Sequence, residues 1–139
     1  IHEAPHSYAT HAQVAASLNK TEEAYELFHR CCDADLGCGE DETPSGIHAA
    51  SMGGIWQCVV QGFCGIRIRE GALFIQPHLP KEWEQVKFHI NLGGSVLDIC
   101  VTHHGIEISN KTRRRIPVVF DGKQEVLGAL ERLNLQKEQ

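Results

Sequence analysis

The sequence contains no long apolar run and no excess of positive charge. No apolar segment approaches the ~20 residues that a membrane-spanning helix needs, and no charged segment followed by an apolar stretch indicates a secretion signal. Thirteen basic residues against 18 acidic ones give a formal net charge of -5, whereas nucleic acids attract basic surfaces. The composition therefore predicts a cytoplasmic globular protein with neither a membrane nor a nucleic acid as its partner.

Cysteine and histidine are present, but not at the spacings of a metal site. The six cysteines are Cys31, Cys32, Cys38, Cys58, Cys64 and Cys100. The first three lie close together, yet they match no standard zinc spacing and no second pair follows them. The nine histidines form no ligand pattern either. We expect reduced thiols, no metal and no cofactor.

The first part of the chain has the spacing of helices. Residues 7–19 are rich in small apolar side chains, and residues 21–31 carry the i, i+3, i+4, i+7 stripe of an amphipathic helix. Thr21 is a candidate N-cap, followed by two acids in the first turn. A loop rich in glycine and acidic residues is predicted over residues 33–46, and a third helix over residues 47–61.

From residue 66 onward the apolar period is two, which is typical of strands. Alternating segments separated by glycine-containing turns predict a small antiparallel β-sandwich. A short terminal helix is predicted from four apolar residues with helical spacing: Val126, Leu127, Leu130 and Leu133.

Together these elements predict an α+β fold with two domains. Helices occupy residues 1–65, and the β-sandwich with its short terminal helix occupies residues 66–139. Because three helices enclose little core, we interpret the helical part as the end of a larger helical structure.

Two segments place polar side chains at predicted helix starts. His2–Ser7 brings imidazoles, a carboxylate and a hydroxyl to the first helix, where unpaired amides and the helix dipole favour an anion. His48 lies near the start of the third helix, after an acidic loop. Each has a structural interpretation as well: Ser7 as an N-cap, which we prefer on the residues alone, and His48 as a hydrogen-bonded structural histidine.

Three motifs resemble a known family. The segments Gly46–Gln57 and Gly62–Arg67 resemble the maltose, trehalose and kojibiose phosphorylases of glycoside hydrolase family 65. The segment Pro77–Trp83 is similar to that family's Asn-Pro-His-Leu-Pro-x-x-Trp motif, with Gln76 in place of the asparagine. The resemblance implies the final helices of an (α/α)6 catalytic barrel, followed by a C-terminal β-sandwich domain.

The resemblance also implies a reaction. Inorganic phosphate, a co-substrate, would attack an α-linked glucose disaccharide with inversion and release β-glucose 1-phosphate. The family's general acid, a glutamate, lies upstream, so the isolated chain is expected to be inactive and to work as part of a longer polypeptide. His48 and the loop Glu3–Ser7 are the expected phosphate contacts, and a homodimer is the expected state of the full-length protein.

The loop departs from the family's pattern, in which an acid precedes Ser-Ser-Leu-Ser. Glu3–Ser7 keeps only the last serine, and His6, if protonated, would replace part of the lost anion affinity. The change leaves open an inverting hydrolase of the same family, with Glu3 as the base that activates water. A non-catalytic carbohydrate-binding or structural module is the third hypothesis. We expect the phosphorylase, with His48, Ser7 and His6 as phosphate contacts.

Overall fold

The computed structural model describes residues 5–36 and 48–137, with the backbone alone for residues 5, 6, 35 and 36. The chain divides into two compact units, Ile1–Phe63 and Cys64–Gln139. The first unit is helical and the second is built from strands. The predicted α+β fold class is therefore confirmed. None of the described helices is long and apolar enough to cross a membrane.

The helical unit contains three α-helices and one π-helical turn in its described part. These are α1 (Pro5–Ser17), α2 (Thr21–Leu36), α3 (Ala49–Gln57) and the π-helical turn Cys58–Phe63. Proline suits the first position of α1, because its fixed φ is already helical. Glu22 and Glu23 occupy the first turn of α2, where they interact favourably with the helix dipole. Asn19, with a φ of 60°, reverses the chain between α1 and α2.

An aromatic cluster joins α2 to the π-helical turn. The ring centroid of Phe28 lies 5.7 Å from that of Phe63, and the Tyr25 centroid lies 6.4 Å from it. Both pairs are edge-to-face, the arrangement that the aromatic quadrupole favours. Since Phe63 is fully buried, this cluster is the main apolar contact between α2 and the end of the unit.

Two predicted features of the helices are wrong. α2 continues to Leu36, so residues 33–36 of the predicted loop are helical, and its remainder, residues 37–46, lies outside the described residues. α3 changes to the π-helical turn at Cys58 instead of continuing as an α-helix to residue 61. Trp56, near the end of α3, is 53% exposed. It follows the inward-facing Gly54 by two residues, or about 200° around the helix axis.

In its described residues, the second unit contains eight strands in two four-stranded sheets. The strands are β1 (Ile66–Arg69), β2 (Ala72–Ile75), β3 (Gln85–Leu92), β4 (Ser95–Thr102), β5 (Gly105–Asn110), β6 (Ile116–Phe120), β7 (Lys123–Leu127) and β8 (Arg132–Gln136). One sheet has the order β1-β2-β6-β7 and the other the order β3-β4-β5-β8. All pairs are antiparallel except β2 with β6, which is parallel. The predicted antiparallel arrangement is therefore found in every described pair except this one.

Each sheet buries one of its faces. In the first sheet, Ile66 is paired with Ile75 and Ile75 with Phe120, and all three are at most 4% exposed. In the second sheet, Ile99 is paired with Ile108, and both are at most 2% exposed. Alternate residues along each strand share a face. These buried rows are the sandwich core that the period of two predicted.

The predicted terminal helix is wrong. Residues 123–136 form β7 and β8 instead, joined by a turn in which Leu130 has a φ of 55°. β7 is paired with β6, and β8 is paired with β5 in the other sheet. Helical spacing of four leucines and valines cannot compete with two ladders of backbone hydrogen bonds, which depend on strands distant in sequence.

Asn110 connects the end of β5 to the β7–β8 turn. Its side-chain Nδ2 donates to the carbonyl oxygens of Arg114 at 2.6 Å and Gly128 at 2.8 Å. Its Oδ1 accepts from the backbone N–H and the hydroxyl of Thr112. The residue is 3% exposed. Its buried amide makes all of these hydrogen bonds and thereby holds the turn in place.

We expect Asn110→Ala to lower the free energy of unfolding by roughly 2–4 kcal/mol, because it removes all the hydrogen bonds that this buried amide makes. Denaturant unfolding of the chain measures the change. Asn134→Ala, on exposed β8, is the control and should stay within about 0.5 kcal/mol of the parent. Equal effects of the two substitutions would contradict a structural role for the Asn110 network.

The Pro77–Pro80 segment after β2 is packed into the β-unit. Leu79 is 7% exposed, and the two prolines are among its fully buried side chains. Lys137 Nζ donates to the Pro77 carbonyl oxygen at 2.8 Å. Burial lowers the pKa of His78 from its ordinary value of 6.5, Lys137 lowers it further, and Asp121 opposes them. The folded protein therefore favours the neutral imidazole.

A histidine with a lowered folded-state pKa binds protons more readily after unfolding, so it destabilises the fold as the pH falls through 6.5. We expect the unfolding free energy to decrease less between pH 7.5 and pH 5.5 in His78→Gln than in the parent chain. Denaturant unfolding at several pH values measures this slope. His89→Gln, at an exposed position of β3, is the control, and identical slopes in all three proteins would contradict the prediction.

Candidate anion site at two helix N-termini

α1 packs beside α3 and its π-helical turn and runs in the same direction. A Cβ built on Gly54 of α3 would lie 2.7 Å from the Cβ of Ala9 in α1. Further along, a Cβ built on Gly62 would lie 3.5 Å from both the Cβ of Ala16 and the Cα of Gln13. Residue numbers increase along both elements between the two contacts. The two elements are therefore parallel over about two turns.

Small side chains and one polar pair maintain this contact. Ala9, Ala12 and Ala16 are at most 2% exposed, and with the glycines opposite they allow the two backbones to approach closely. Gln13 Nε2 donates to Gln61 Oε1 at 2.8 Å.

Parallel packing brings the N-termini of α1 and α3 to the same end of the helical unit. α1 begins at Pro5 and α3 at Ala49, each about one to one and a half turns before the Ala9–Gly54 contact. The first amides of a helix have no partners within it, and the helix end carries about half a positive charge. We call this end, residues 5–7 and 48–51, the paired N-termini. Their geometry favours an anion.

His48 is the N-cap residue of α3. Its backbone is extended, with φ -85° and ψ 98°, and its side chain makes no capping hydrogen bond to the helix. Its carbonyl oxygen accepts the bond from Met52 N at 3.1 Å, which closes the first turn. The exposed imidazole therefore stands at the end of α3 without occupying the amides of that turn.

Ser7 is not the N-cap of α1. The helix begins two residues earlier at Pro5, because proline is favoured at the first helical position and lacks only an N–H that would be unpaired there. Ser7 is thus the third residue of α1 and is half-buried. Ser7 therefore lies in the first turn of α1, within the paired N-termini.

Ser51 has the matching position in α3 and was missed as a site residue. It is the third residue of α3 and is 1% exposed. The sequence shows it only as one small residue among alanines and glycines. Its relation to Ser7 becomes visible once the starts of both helices are known.

Two predicted site residues have no described side chain. Glu3 lies outside the described residues, and His6 belongs to the first turn of α1 by its backbone alone. Of the predicted site residues, Ser7 and His48 are therefore the two that the structure places, and both belong to the paired N-termini.

The cysteines do not form a second site in the part of the chain that the structure describes. The five cysteines there form no disulfide, and no group of three potential ligands there is arranged for a metal ion. Burial raises the pKa of Cys58 to about 12, with smaller contributions from the nearby Cys31 and Cys32, and burial also raises the pKa of Cys64 to about 12. Both thiols are therefore protonated and unreactive at neutral pH.

Two family models match the chain in consecutive segments. The model of the glycosyl hydrolase family 65 central catalytic domain matches residues 1–57, and the model of the same family's C-terminal domain matches residues 66–127. The chain belongs to glycoside hydrolase family 65. The resemblance seen in its motifs is thus confirmed.

Its relatives include several disaccharide phosphorylases. The alpha,alpha-trehalose phosphorylase of Geobacillus stearothermophilus is 30% identical over 134 residues, covering 96% of this chain and 18% of the relative. The maltose phosphorylase of Bacillus subtilis is 37% identical over 101 residues, covering 73% of this chain and 13% of the relative. A solved structure of a putative kojibiose phosphorylase from the human microbiome superposes with a TM-score of 0.86 at 26% identity, covering 99% of this chain and 18% of that one.

The family 65 match assigns the paired N-termini to one of the two units. Both helix starts lie within residues 1–57, the segment matched by the central catalytic domain. The β-unit contains the whole C-terminal domain match. The chain spans less than a fifth of the length of these relatives.

We expect Gly54→Ala to destabilise the helical unit by about 1–3 kcal/mol, because its new methyl group overlaps Ala9 and forces α3 away from α1. Gly53→Ala is the matched control. A Cβ there meets nothing within 4 Å, so its better helix propensity should stabilise the protein by up to about 1 kcal/mol. Thermal and denaturant unfolding measure both changes, and stabilisation by both substitutions would contradict the close contact.

Proposed function

We propose that this chain supplies the phosphate-binding end of an inverting disaccharide phosphorylase and works as part of a longer polypeptide. The paired N-termini are the observation that carries the proposal. They lie within the segment that matches the family's central catalytic domain, and relatives of the chain are disaccharide phosphorylases. The proposed substrates are an α-linked glucose disaccharide and inorganic phosphate.

Phosphate places particular demands on its site. Inorganic phosphate is an anion at neutral pH, and a buried anion is costly unless several donors surround it. Two helix ends supply backbone N–H groups and a positive potential without any charged side chain. His48 at the end of α3 and the Ser7 hydroxyl in the first turn of α1 add side-chain donors. His6, on the same turn, is the third proposed phosphate contact.

The reaction follows from how such a site holds the nucleophile. A phosphate oxygen fixed by these donors attacks the anomeric carbon on the face opposite the leaving sugar, which inverts the configuration and gives β-glucose 1-phosphate. The leaving oxygen needs a proton from a general acid, and by the family resemblance that glutamate precedes this chain. The isolated chain is therefore proposed to be inactive.

The deciding experiment uses the full-length polypeptide that carries this chain. Maltose, trehalose, kojibiose and nigerose are incubated with the protein, with and without inorganic phosphate. Glucose 1-phosphate that forms only with phosphate supports the phosphorylase. Free glucose released at the same rate in both conditions contradicts it and makes Glu3 the first candidate base to substitute, as an inverting hydrolase requires.

In the full-length protein, we expect His48→Ala to raise the KM for phosphate by about 10-fold or more, because one hydrogen bond to a charged ligand contributes about 1.5–3 kcal/mol. The KM for the disaccharide should change far less. Steady-state kinetics with each substrate varied in turn measure both constants. His89→Ala, in the β-unit, is the control and should leave both unchanged.

A different outcome has an equally clear meaning. Equal increases in the two KM values after His48→Ala would show that His48 is a structural residue and not a phosphate contact.

A further inference from the structure

Ser51 is a buried hydroxyl for which the described part of the chain provides no hydrogen-bond partner. The residue is 1% exposed, and its Oγ makes no hydrogen bond there. A serine within a helix ordinarily donates back to the carbonyl three or four residues earlier. Ser51 makes no such bond, although the His48 carbonyl three residues earlier lies on its own helix. A buried polar group without a hydrogen bond destabilises a fold, so each such group requires an explanation.

The position of Ser51 indicates where a partner would lie. As the third residue of α3, it precedes Gly54, which contacts Ala9, by about one turn and projects from nearly the same side of the helix. Its side chain therefore faces α1, and its Cβ points toward the N-terminus. Ser7, the third residue of α1, precedes Ala9 by two residues. The two hydroxyls thus belong to corresponding first turns of two packed parallel helices.

The chemical groups at the start of α3 indicate what kind of partner the Ser51 hydroxyl would have. The amides of Ala49 and Ala50 precede the first intrahelical bond of α3, so every backbone group directed out of this end is a donor. The Ser51 hydroxyl, which lies at this end, therefore needs a hydrogen-bond acceptor. An anion is an acceptor that the positive end of the helix dipole also favours.

We propose that the Ser51 hydroxyl donates a hydrogen bond to the phosphate held at the paired N-termini, as a counterpart of Ser7. This inference rests on the proposed function. The loop Glu3–Ser7 keeps one serine where the family's pattern has three, and Ser51 supplies a further hydroxyl donor from the neighbouring helix. Phosphate then bridges α1 and α3, and its binding depends on how closely the two helices pack.

The test measures phosphate affinity directly in the full-length protein, so that it is independent of turnover. Isothermal titration with inorganic phosphate compares the parent with Ser51→Ala and Ser51→Cys, which keeps the size but donates weakly. We expect the Kd for phosphate to rise roughly 10- to 100-fold in both variants. Ser17→Ala is the control, because Ser17 lies at the opposite end of α1 and its hydroxyl donates to the Val14 carbonyl.

Thermal unfolding without phosphate provides the second readout. Removal of a buried hydroxyl with no protein partner should leave the Tm of Ser51→Ala unchanged or raise it, while the increase in Tm caused by added phosphate should shrink. A Kd and a phosphate-induced shift equal to those of the parent would overturn the proposal, since the hydroxyl would then bind water or nothing. If the parent itself binds no phosphate, the proposed function fails and this inference fails with it.

Discussion

The close contact between Ala9 and Gly54 is the constraint on which the candidate site depends. Only a hydrogen on one side and a methyl group on the other allow the backbones of α1 and α3 to approach so closely. Because the contact repeats near Gly62 with rising residue numbers, the helices are parallel, and their positive ends lie together. An antiparallel pair of the same helices would place a C-terminus beside His48 and would repel an anion.

The two units are stabilised in different ways. In the helical unit, alanine and glycine set the distance between helices, and the Tyr25–Phe28–Phe63 cluster supplies the large apolar surface. In the β-unit, buried rows across each sheet supply the core, and Asn110 fixes the turn that leads the chain from one sheet to the other. The described residues of the candidate anion site all belong to the helical unit.

Backbone groups and side chains would make different contributions to anion binding at the paired N-termini. The helix ends provide a potential that any anion would experience, whereas His48, Ser7 and Ser51 are the proposed side-chain donors. In the proposed site, these donors would compensate for the serines that the loop Glu3–Ser7 lacks relative to the family's pattern. The dipoles of two helices remain, and donors can come from either helix.

Local sequence determined the family and the two-part organisation of helices followed by strands. Each of these depends on residues that are neighbours in the chain: the Gly46–Gln57 and Pro77–Trp83 motifs, and the change of apolar period near residue 66. The tertiary structure alone decided that residues 123–136 are strands, that β2 and β6 are parallel, and that Ser51 accompanies Ser7. These features depend on partners far apart in sequence, and a period or a spacing carries no information about which distant backbone a segment will meet.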